Sequence, residues 1–462
     1  VEMTSAASMT DGLSRERETF LDLRTGDQAR ALRHIFFAER AAKPPKWLQA
    51  QAPALDQVAV VGGGTMGAGI AYVAANAGIE VVLIDRDRDA ADRGKAHAEG
   101  ILDKGIQRRK VTEEKKEQVL GRITATTDLD TLKGCDLIVE AVFEDPRVKA
   151  EMTAKVEPII PEDAIFATNT STLPITELAK SSTRPEQFIG IHFFSPVDKM
   201  LLVEIIKGAQ TGDRAVAKAL DFVRQIRKTP IAVNDARFFY ANRCIIPYGA
   251  EANRMIAEGV EPALIENAAK QLGFPLGPIQ LGDETAVDLA EKIMRATKAA
   301  LGDDYPENPG DDVVQFLFDE GRMGRKTNAG YYEYNEKGKR IGIWQGLRDR
   351  FPLSDDQPDV TEVKHRLMLA QVLEAIKALE EGVLEDIREG DVGAILGWGF
   401  APWSGGPFSW ADIMGTEQLV RICDGLAQKC GPRFNAPALL REMATNGETF
   451  YGRFMGESAK AA

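Results

Sequence analysis

From Val58 onward the chain carries a pattern that few folds can accommodate. Val58-Ala-Val-Val61 is an unbroken apolar run, as a strand covered on both faces of a parallel sheet requires. It passes directly into Gly62-Gly-Gly-Thr-Met-Gly67 and then into an apolar helix from Ile70 to Ala77. Gly62, Gly64 and Gly67 spell G-x-G-x-x-G. The first glycine permits a tight turn, the second lets backbone approach a pyrophosphate, and the third lets helix and strand pack closely. The helix start supplies unpaired N–H groups and a partial positive charge to the same phosphates. A second apolar strand, Val81-Val-Leu-Ile84, ends on Asp85, eighteen residues after Gly67. A carboxylate there suits a ribose 2′-hydroxyl and repels a 2′-phosphate, which favours NAD over NADP. Arg86 beside it is the residue type that accepts the additional phosphate. A glycine-rich turn alone says little. Strand, turn, helix and an acid-tipped second strand together predict a doubly wound α/β domain of Rossmann type.

The alternation continues. Ala90 to Gly105 and Thr112 to Leu120 read as helices, and Cys135 to Val142 as a strand ending near Glu140. Ile165 to Thr168 is a further short strand, opening into Asn169-Thr-Ser-Thr172. Ligands of open α/β sheets sit outside the carboxyl ends of the strands. Gly62 to Gly67, Asp85, Glu140 to Glu144 and Asn169 to Ser171 are therefore expected to face one crevice.

Charge and cysteine usage narrow the setting. The chain has 462 residues, with 57 Lys and Arg against 70 Asp and Glu, a net charge of −13 that argues against a duplex-coating nucleic-acid binder. Cys135, Cys244, Cys423 and Cys430 show neither zinc-ligand spacing nor a disulfide framework, so no metal is expected. No apolar run approaches the roughly 18 residues of a membrane helix. The expectation is a cytoplasmic, multi-domain protein.

Oxidation of an alcohol by a dinucleotide requires a base for the hydroxyl proton, and histidine is the usual choice near neutral pH. The chain has four histidines. His34 lies in the N-terminal arm, His97 in a polar helix and His365 at the start of a distant amphipathic helix. His192 lies within Phe188-Ile-Gly-Ile-His-Phe-Phe-Ser-Pro196, an apolar strand that stops at proline. Twelve residues later Glu204 stands alone in Leu201-Leu-Val-Glu-Ile-Ile206. A reversal at Ser195 to Lys199 would set the two runs side by side and bring Glu204 to His192. A carboxylate so placed fixes the imidazole tautomer and stabilises the imidazolium.

Gly62-Gly-Gly-Thr-Met-Gly67, Asn169-Thr-Ser-Thr172, Gly190-Ile-His-Phe-Phe-Ser-Pro196 and Val203-Glu-Ile205 together resemble the L-3-hydroxyacyl-CoA dehydrogenase family from about Val58 to Gly282. The resemblance implies His192 as base, Glu204 as its orienting partner, and Ser171 and Asn242 as hydrogen-bonding groups around the substrate oxygen. It implies a cofactor-binding set of Gly62, Gly64, Thr65, Met66, Gly67, Asp85, Ala141, Glu144, Lys149 and Asn169, with NAD as cofactor and an acyl-CoA as substrate. Arg108, Arg109 and Lys110 form the best local cation cluster for the coenzyme A phosphates; a solvated helix face explains that cluster equally well. Two departures from the family pattern stand out. Ser195 occupies a position where members often have Asn, and Ala236-Arg-Phe replaces a Pro-Gly-Phe stretch ahead of Asn242.

Beyond Asn234 the sequence turns helical and repeats itself. Asn242 to Gly259 parallels His365 to Gly382 at an offset of 123, and Leu272 to Pro278 parallels Leu396 to Pro402 and Gly406-Pro407. Each copy is expected to close on an acidic, apolar helix, Gly282 to Leu289 and Trp410 to Met414. Four segments follow: an N-terminal helical arm and linker (1–53), the Rossmann domain (54–233), and two helical domains (234–335 and 336–462). A duplicated all-α half resembles the dehydrogenase portion of multifunctional fatty-acid β-oxidation enzymes, and the arm ending Phe36-Phe-Ala-Glu-Arg40 resembles their connecting segment. By that resemblance an enoyl-CoA hydratase domain belongs upstream, with no room for it before Val58; a thiolase partner and a homodimer are also implied. Two other readings stand beside this one. They are a β-hydroxy acid or sugar acid dehydrogenase with a lysine base, and an NAD-binding scaffold without activity.

Overall fold

The computed structural model describes residues 7–42 and 55–455, so the linker expected from Lys43 to Pro53 lies outside the described residues. Two compact units emerge. One gathers Ile35–Asn242 with Ala378–Trp398; the other holds the residues up to His34, Arg243–Lys377 and the chain from Gly399 onward.

The first unit is built on one eight-stranded sheet. Its strands are β1 (Gln57–Val61), β2 (Glu80–Ile84), β3 (Ile123–Thr126), β4 (Leu137–Glu140), β5 (Ile165–Thr168), β6 (Phe188–Phe193), β7 (Leu202–Lys207) and β8 (Thr229–Asn234). They lie in the order β3-β2-β1-β4-β5-β6-β7-β8, every neighbouring pair parallel except β6 and β7. Strands β7 and β8 thus run against the other six. Val58, Val60, Val81 and Leu83 are buried in a core with Ile70 and Ala74 of helix Thr65–Asn76 and with Phe222 of helix Asp213–Gln225. Burying each valine, leucine, isoleucine or phenylalanine among them contributes about 1.5–3 kcal/mol, which is why unbroken apolar runs mark the central strands. The sequence does not announce β3, because Ile123-Thr-Ala-Thr is short and half polar. The strand expected over Cys135 to Val142 is only Leu137–Glu140, Cys135 instead closing a 3-10 turn onto the Leu132 carbonyl.

Strands β6 and β7 form the expected reversal. Their antiparallel register sets His192 directly opposite Glu204 and Phe193 opposite Val203.

The second unit repeats its architecture as the sequence does. Helices Pro278–Thr285 and Pro407–Met414 each follow a glycine, Gly277 or Gly406. Each carries an aspartate that accepts two consecutive backbone N–H groups from an aromatic pair. Asp283 takes Tyr331 and Tyr332 (2.8 and 3.1 Å), and Asp412 takes Phe450 and Tyr451 (2.7 and 3.0 Å). The helix expected to run from Gly282 to Leu289 breaks at Ala286, which adopts φ +78 before helix Val287–Leu301 begins. The second copy breaks at Gly415 with φ +81, where glycine meets the left-handed conformation without a Cβ clash. A further departure from an all-helical reading is a two-stranded hairpin, Tyr332–Tyr334 with Arg340–Ile343. Glu251 joins the copies through ion pairs, accepting from the buried Arg366 at 2.6 Å and from the half-buried Arg433 at 2.6 Å.

The arm forms two helices, Met9–Thr25 and Asp27–Ala41, divided at Gly26 where the sequence interrupts its pattern. No helix among the described residues is long and apolar enough to cross a membrane.

Candidate active site

The glycine turn is packed on one side and open on the other. Gly62 adopts φ +107, and a Cβ there would stand 2.6 Å from the Ala141 carbonyl oxygen. At Gly67 it would collide with the Gly62 carbonyl at 1.8 Å. At Gly64 it would meet nothing within 4 Å. The first bond of helix Thr65–Asn76 runs from Ala68 N–H to the Gly64 carbonyl, so the N–H groups of Thr65, Met66 and Gly67 have no partner within the helix. Open backbone beside a helix start is the shape a pyrophosphate fits. Asp85 forms the shoulder of this turn, its carboxylate accepting from Gly63 N–H (2.6 Å) and Arg86 N–H (2.7 Å). The Arg86 side chain turns to Asp87 instead, at 3.1 Å, and is largely exposed.

The next layer, at β4 and β5, fixes a loop. Glu140 is buried at the end of β4 and accepts from Lys149 Nζ (2.9 and 3.2 Å), Thr168 Oγ1 (2.7 Å) and Val142 N–H (2.8 Å). Lys149 is itself only 2% exposed, and its ammonium also lies 3.3 Å from Glu144. The side chain expected to touch cofactor is therefore directed at two carboxylates. Glu144 accepts in turn from Thr170 Oγ1 (2.7 Å) and Ser171 N–H (2.8 Å). Burial favours its neutral form, but the Lys149 charge and these bonds outweigh that and hold its carboxyl below the ordinary range. Glu144 stays ionised and pins Asn169 to Thr172. Asn169 completes the stitching, donating its N–H to the Glu140 carbonyl (2.7 Å) and accepting Phe193 N–H on Oδ1 (2.9 Å).

The third layer holds His192. His192 Nδ1 lies 2.7 Å from Glu204 Oε2, both side chains buried. Phe194 and Phe239 flank the ring, with centroids 4.4 and 5.9 Å away. The other oxygen of Glu204 accepts from Tyr240 N–H (3.2 Å) and Ala241 N–H (2.8 Å), the latter opening helix Ala241–Ala257. Asn242 follows at once, donating from Nδ2 to the Ser171 carbonyl at 2.8 Å. One carboxylate thus fixes both the imidazole and the helix start that carries Asn242. The replaced Ala236-Arg-Phe stretch leads into two consecutive left-handed residues, Phe238 at φ +67 and Phe239 at φ +55. Such a conformation costs about 1–2 kcal/mol for each non-glycine residue, and the full burial of Phe239 beside His192 offsets it.

Arg108, Arg109 and Lys110 are not brought to this crevice. Helix Arg88–Gln107 starts two residues beyond Arg86 and runs 20 residues, about 30 Å, before reaching them. All three are exposed, and none makes a side-chain hydrogen bond or ion pair among the described residues. Sequence reasoning also passed over Thr168, Thr170, Tyr240 and Phe239. For Thr168 a signal existed: it pairs in register with Glu140, so two polar residues end adjacent apolar strands. No group of His, Cys, Asp and Glu suited to a metal ion occurs among the described residues.

Comparison with known proteins matches this geometry to a family. Residues 57–236 fit the NAD-binding domain of 3-hydroxyacyl-CoA dehydrogenase, and residues 239–334 fit its C-terminal domain. The chain belongs to the 3-hydroxyacyl-CoA dehydrogenase family. Its sheet domain is that family's NAD-binding domain, which answers the choice left open by Arg86 beside Asp85. Among solved structures, a 3-hydroxybutyryl-CoA dehydrogenase from Escherichia coli K12 is 27% identical, covering 86% of this chain and 99% of its own with a TM-score of 0.73. The dehydrogenase part of multifunctional enzyme 1 from C. elegans is 29% identical, covering 85% of this chain and 90% of its own, TM-score 0.62. An (S)-3-hydroxybutyryl-CoA dehydrogenase from Ralstonia eutropha is 34% identical over 61% of this chain and 100% of its own, TM-score 0.58. The first two extend over most of the chain, so the helical duplication does not by itself distinguish a multifunctional enzyme from a 3-hydroxybutyryl-CoA dehydrogenase.

Proposed function

We propose that this dehydrogenase interconverts (3S)-3-hydroxyacyl-CoA and 3-oxoacyl-CoA, with His192 as general base. The observation that carries the reading is the His192–Glu204 pair, 2.7 Å apart and buried, which engages Nδ1 and leaves Nε2 as the acceptor. Bound NAD supplies the hydride acceptor. Gly62, Gly64, Thr65, Met66 and Gly67 hold its pyrophosphate, and Asp85 its ribose. Ala141, Glu144, Lys149 and Asn169 shape the wall beyond, Lys149 acting through its carboxylate partners. Nε2 takes the C3 hydroxyl proton, while Glu204 opposes the positive charge that forms on the ring. Ser171 Oγ and the remaining N–H of Asn242 hold the oxygen, since hydroxyl and amide can serve it as alcohol and as ketone.

Fatty-acid β-oxidation in the cytoplasm is the setting we propose, together with an upstream enoyl-CoA hydratase domain, a thiolase partner and a homodimer. The support is the likeness to the dehydrogenase part of the C. elegans multifunctional enzyme. Contact of Arg108, Arg109 and Lys110 with the coenzyme A phosphates belongs to the same proposal, for a substrate lying along helix Arg88–Gln107. The test is turnover of acetoacetyl-CoA with NADH, with NADPH as control. NADH oxidation with little from NADPH is expected. Turnover of neither, with NADH binding intact, would overturn the assignment.

A further inference from the structure

A cavity of about 480 Å³ opens beside the edge strand β8, away from the groups assigned above. Arg224, Arg227 and Lys228 wall it from the end of helix Asp213–Gln225, and Phe36, Glu39 and Arg40 from the arm helix. Its size falls in the range of small-molecule sites. Because β7 and β8 run against the other strands, the start of β8 lies at the sheet edge where β1 to β6 end. Pro230 pairs with Val203, and Val203 with Phe193, so the cavity begins two strands, about 10 Å, from the position next to His192. It is five strands, about 24 Å, from β1 and the glycine turn, too far for the cofactor pyrophosphate to occupy it.

The lining is cationic on a chain of net charge −13. Four cations face one carboxylate, Glu39. Among the described residues only Arg224 is paired with a carboxylate, Asp221 at 2.7 Å. Arg40 lies over the Phe36 ring at 3.5 Å, forming a flat cationic wall. Lys228 Nζ donates to the carbonyls of Val197 (2.6 Å) and Met200, which leaves one of its three N–H groups over. Two guanidinium forks and an ammonium converging without carboxylate partners suit an anion with several oxygens and more than one charge.

We propose that this cavity is a second anion site that binds a phosphate group, carried either by a free phosphorylated small molecule or by the nucleotide part of coenzyme A, the latter in place of the contact with Arg108, Arg109 and Lys110. Lys228 couples the site to the crevice, because the turn it holds follows directly on β6 and His192. Burial lowers the Lys228 pKa to about 8, and Asp198 on that turn opposes the shift. Arg224, Arg227 and Asp221 face Lys228 from its own helix end, Arg40 and Glu39 from the arm, and Tyr72 lies near Asp198 on helix Thr65–Asn76. A phosphate favours charged Lys228, so affinity is full below pH 8 and falls as pH rises past it.

Calorimetric titration of the full chain, saturated with NADH to block the glycine turn, tests this with inorganic phosphate as probe. One saturable site is expected, about tenfold weaker in R40A and in R227A, each losing one charge-assisted contact. Binding should also weaken by about fivefold between pH 8 and pH 9, and K228M should abolish that pH dependence. Both arginines are exposed, and thermal melting checks that the variants fold. No saturable binding up to about 10 mM, or equal affinity in wild type, R40A and R227A, would overturn the proposal. Competition by free coenzyme A would assign the phosphate to the substrate; phosphate binding untouched by coenzyme A would assign it to a separate metabolite.

Discussion

At the edge of one sheet Lys149 pairs with Glu140 at 2.9 Å and His192 pairs with Glu204 at 2.7 Å, all four side chains buried. Their valences differ. The Lys149 ammonium meets both oxygens of Glu140 and one of Glu144, so its donors are directed at carboxylates and it has no lone pair while charged. Imidazole has two ends, and Glu204 occupies one. On the proposed reading, what separates a proton acceptor from a structural clamp is a hydrogen-bonding position left over after burial, rather than burial itself. The same contrast disfavours a lysine-based mechanism in this crevice.

Variants can break or sharpen this contrast. The largest effect should follow His192→Ala, a loss of about 10⁴-fold in kcat with NADH affinity retained, read by stopped-flow NADH oxidation. Glu204→Gln keeps an acceptor for Ala241 N–H but presents an amide to Nδ1, and should cost about 10³-fold, since a wrong tautomer cannot accept the proton. Lys149→Met should act on stability instead. It leaves Glu140 as an uncompensated buried charge and should cost about 3–5 kcal/mol in urea denaturation, with kcat per folded molecule within about tenfold of wild type. A kcat loss matching that of His192→Ala would break the comparison.

A third acid, the half-buried Glu389, has no cation in ion-pair contact among the described residues and so sharpens the point. It accepts Ala232 N–H on edge strand β8 at 2.7 Å, and burial pushes its carboxyl up to about 7. A raised folded-state pKa favours the protein below the ordinary carboxyl range, and that advantage disappears as pH rises through 7. Glu389→Gln should therefore gain stability over wild type between pH 5 and pH 8, by up to about 3 kcal/mol, measured by denaturation at the two pH values. The smallest effect is expected for Asn242→Ala, about tenfold in kcat/KM for acetoacetyl-CoA, because Ser171 still contacts the oxygen.

Much of this was legible in the residues. Gly62 to Gly67 and Asp85 could be read because each glycine answers a steric demand and each flanking run a burial demand. His192 and Glu204 could be paired because both interrupt apolar strands that a short turn must bring together. Other features depended on contacts that no local pattern records. Thr65 and Met66 present backbone N–H groups at a helix start, and Asn169 is held by Phe193 of another strand. The enclosure of Lys149 needs two glutamates from a different strand end. The break at Ala286 is imposed by packing on a residue that locally favours helix, whereas Gly415 in the second copy advertises its turn. The strand β3 is too short and too polar to stand out, and the reversed direction of β7 and β8 follows from topology. Arg108 to Lys110 show the opposite case: the charge cluster is visible in the sequence, but its position one helix length from the crevice is not.

The most direct measurement is a double-variant cycle on single-turnover hydride transfer, comparing His192→Ala, Glu204→Gln and the two combined. If Glu204 acts through His192, the double variant should be no slower than His192→Ala within about threefold, because orienting an absent ring contributes nothing. Losses that multiply would show two independent contributions and contradict the pair as the catalytic unit.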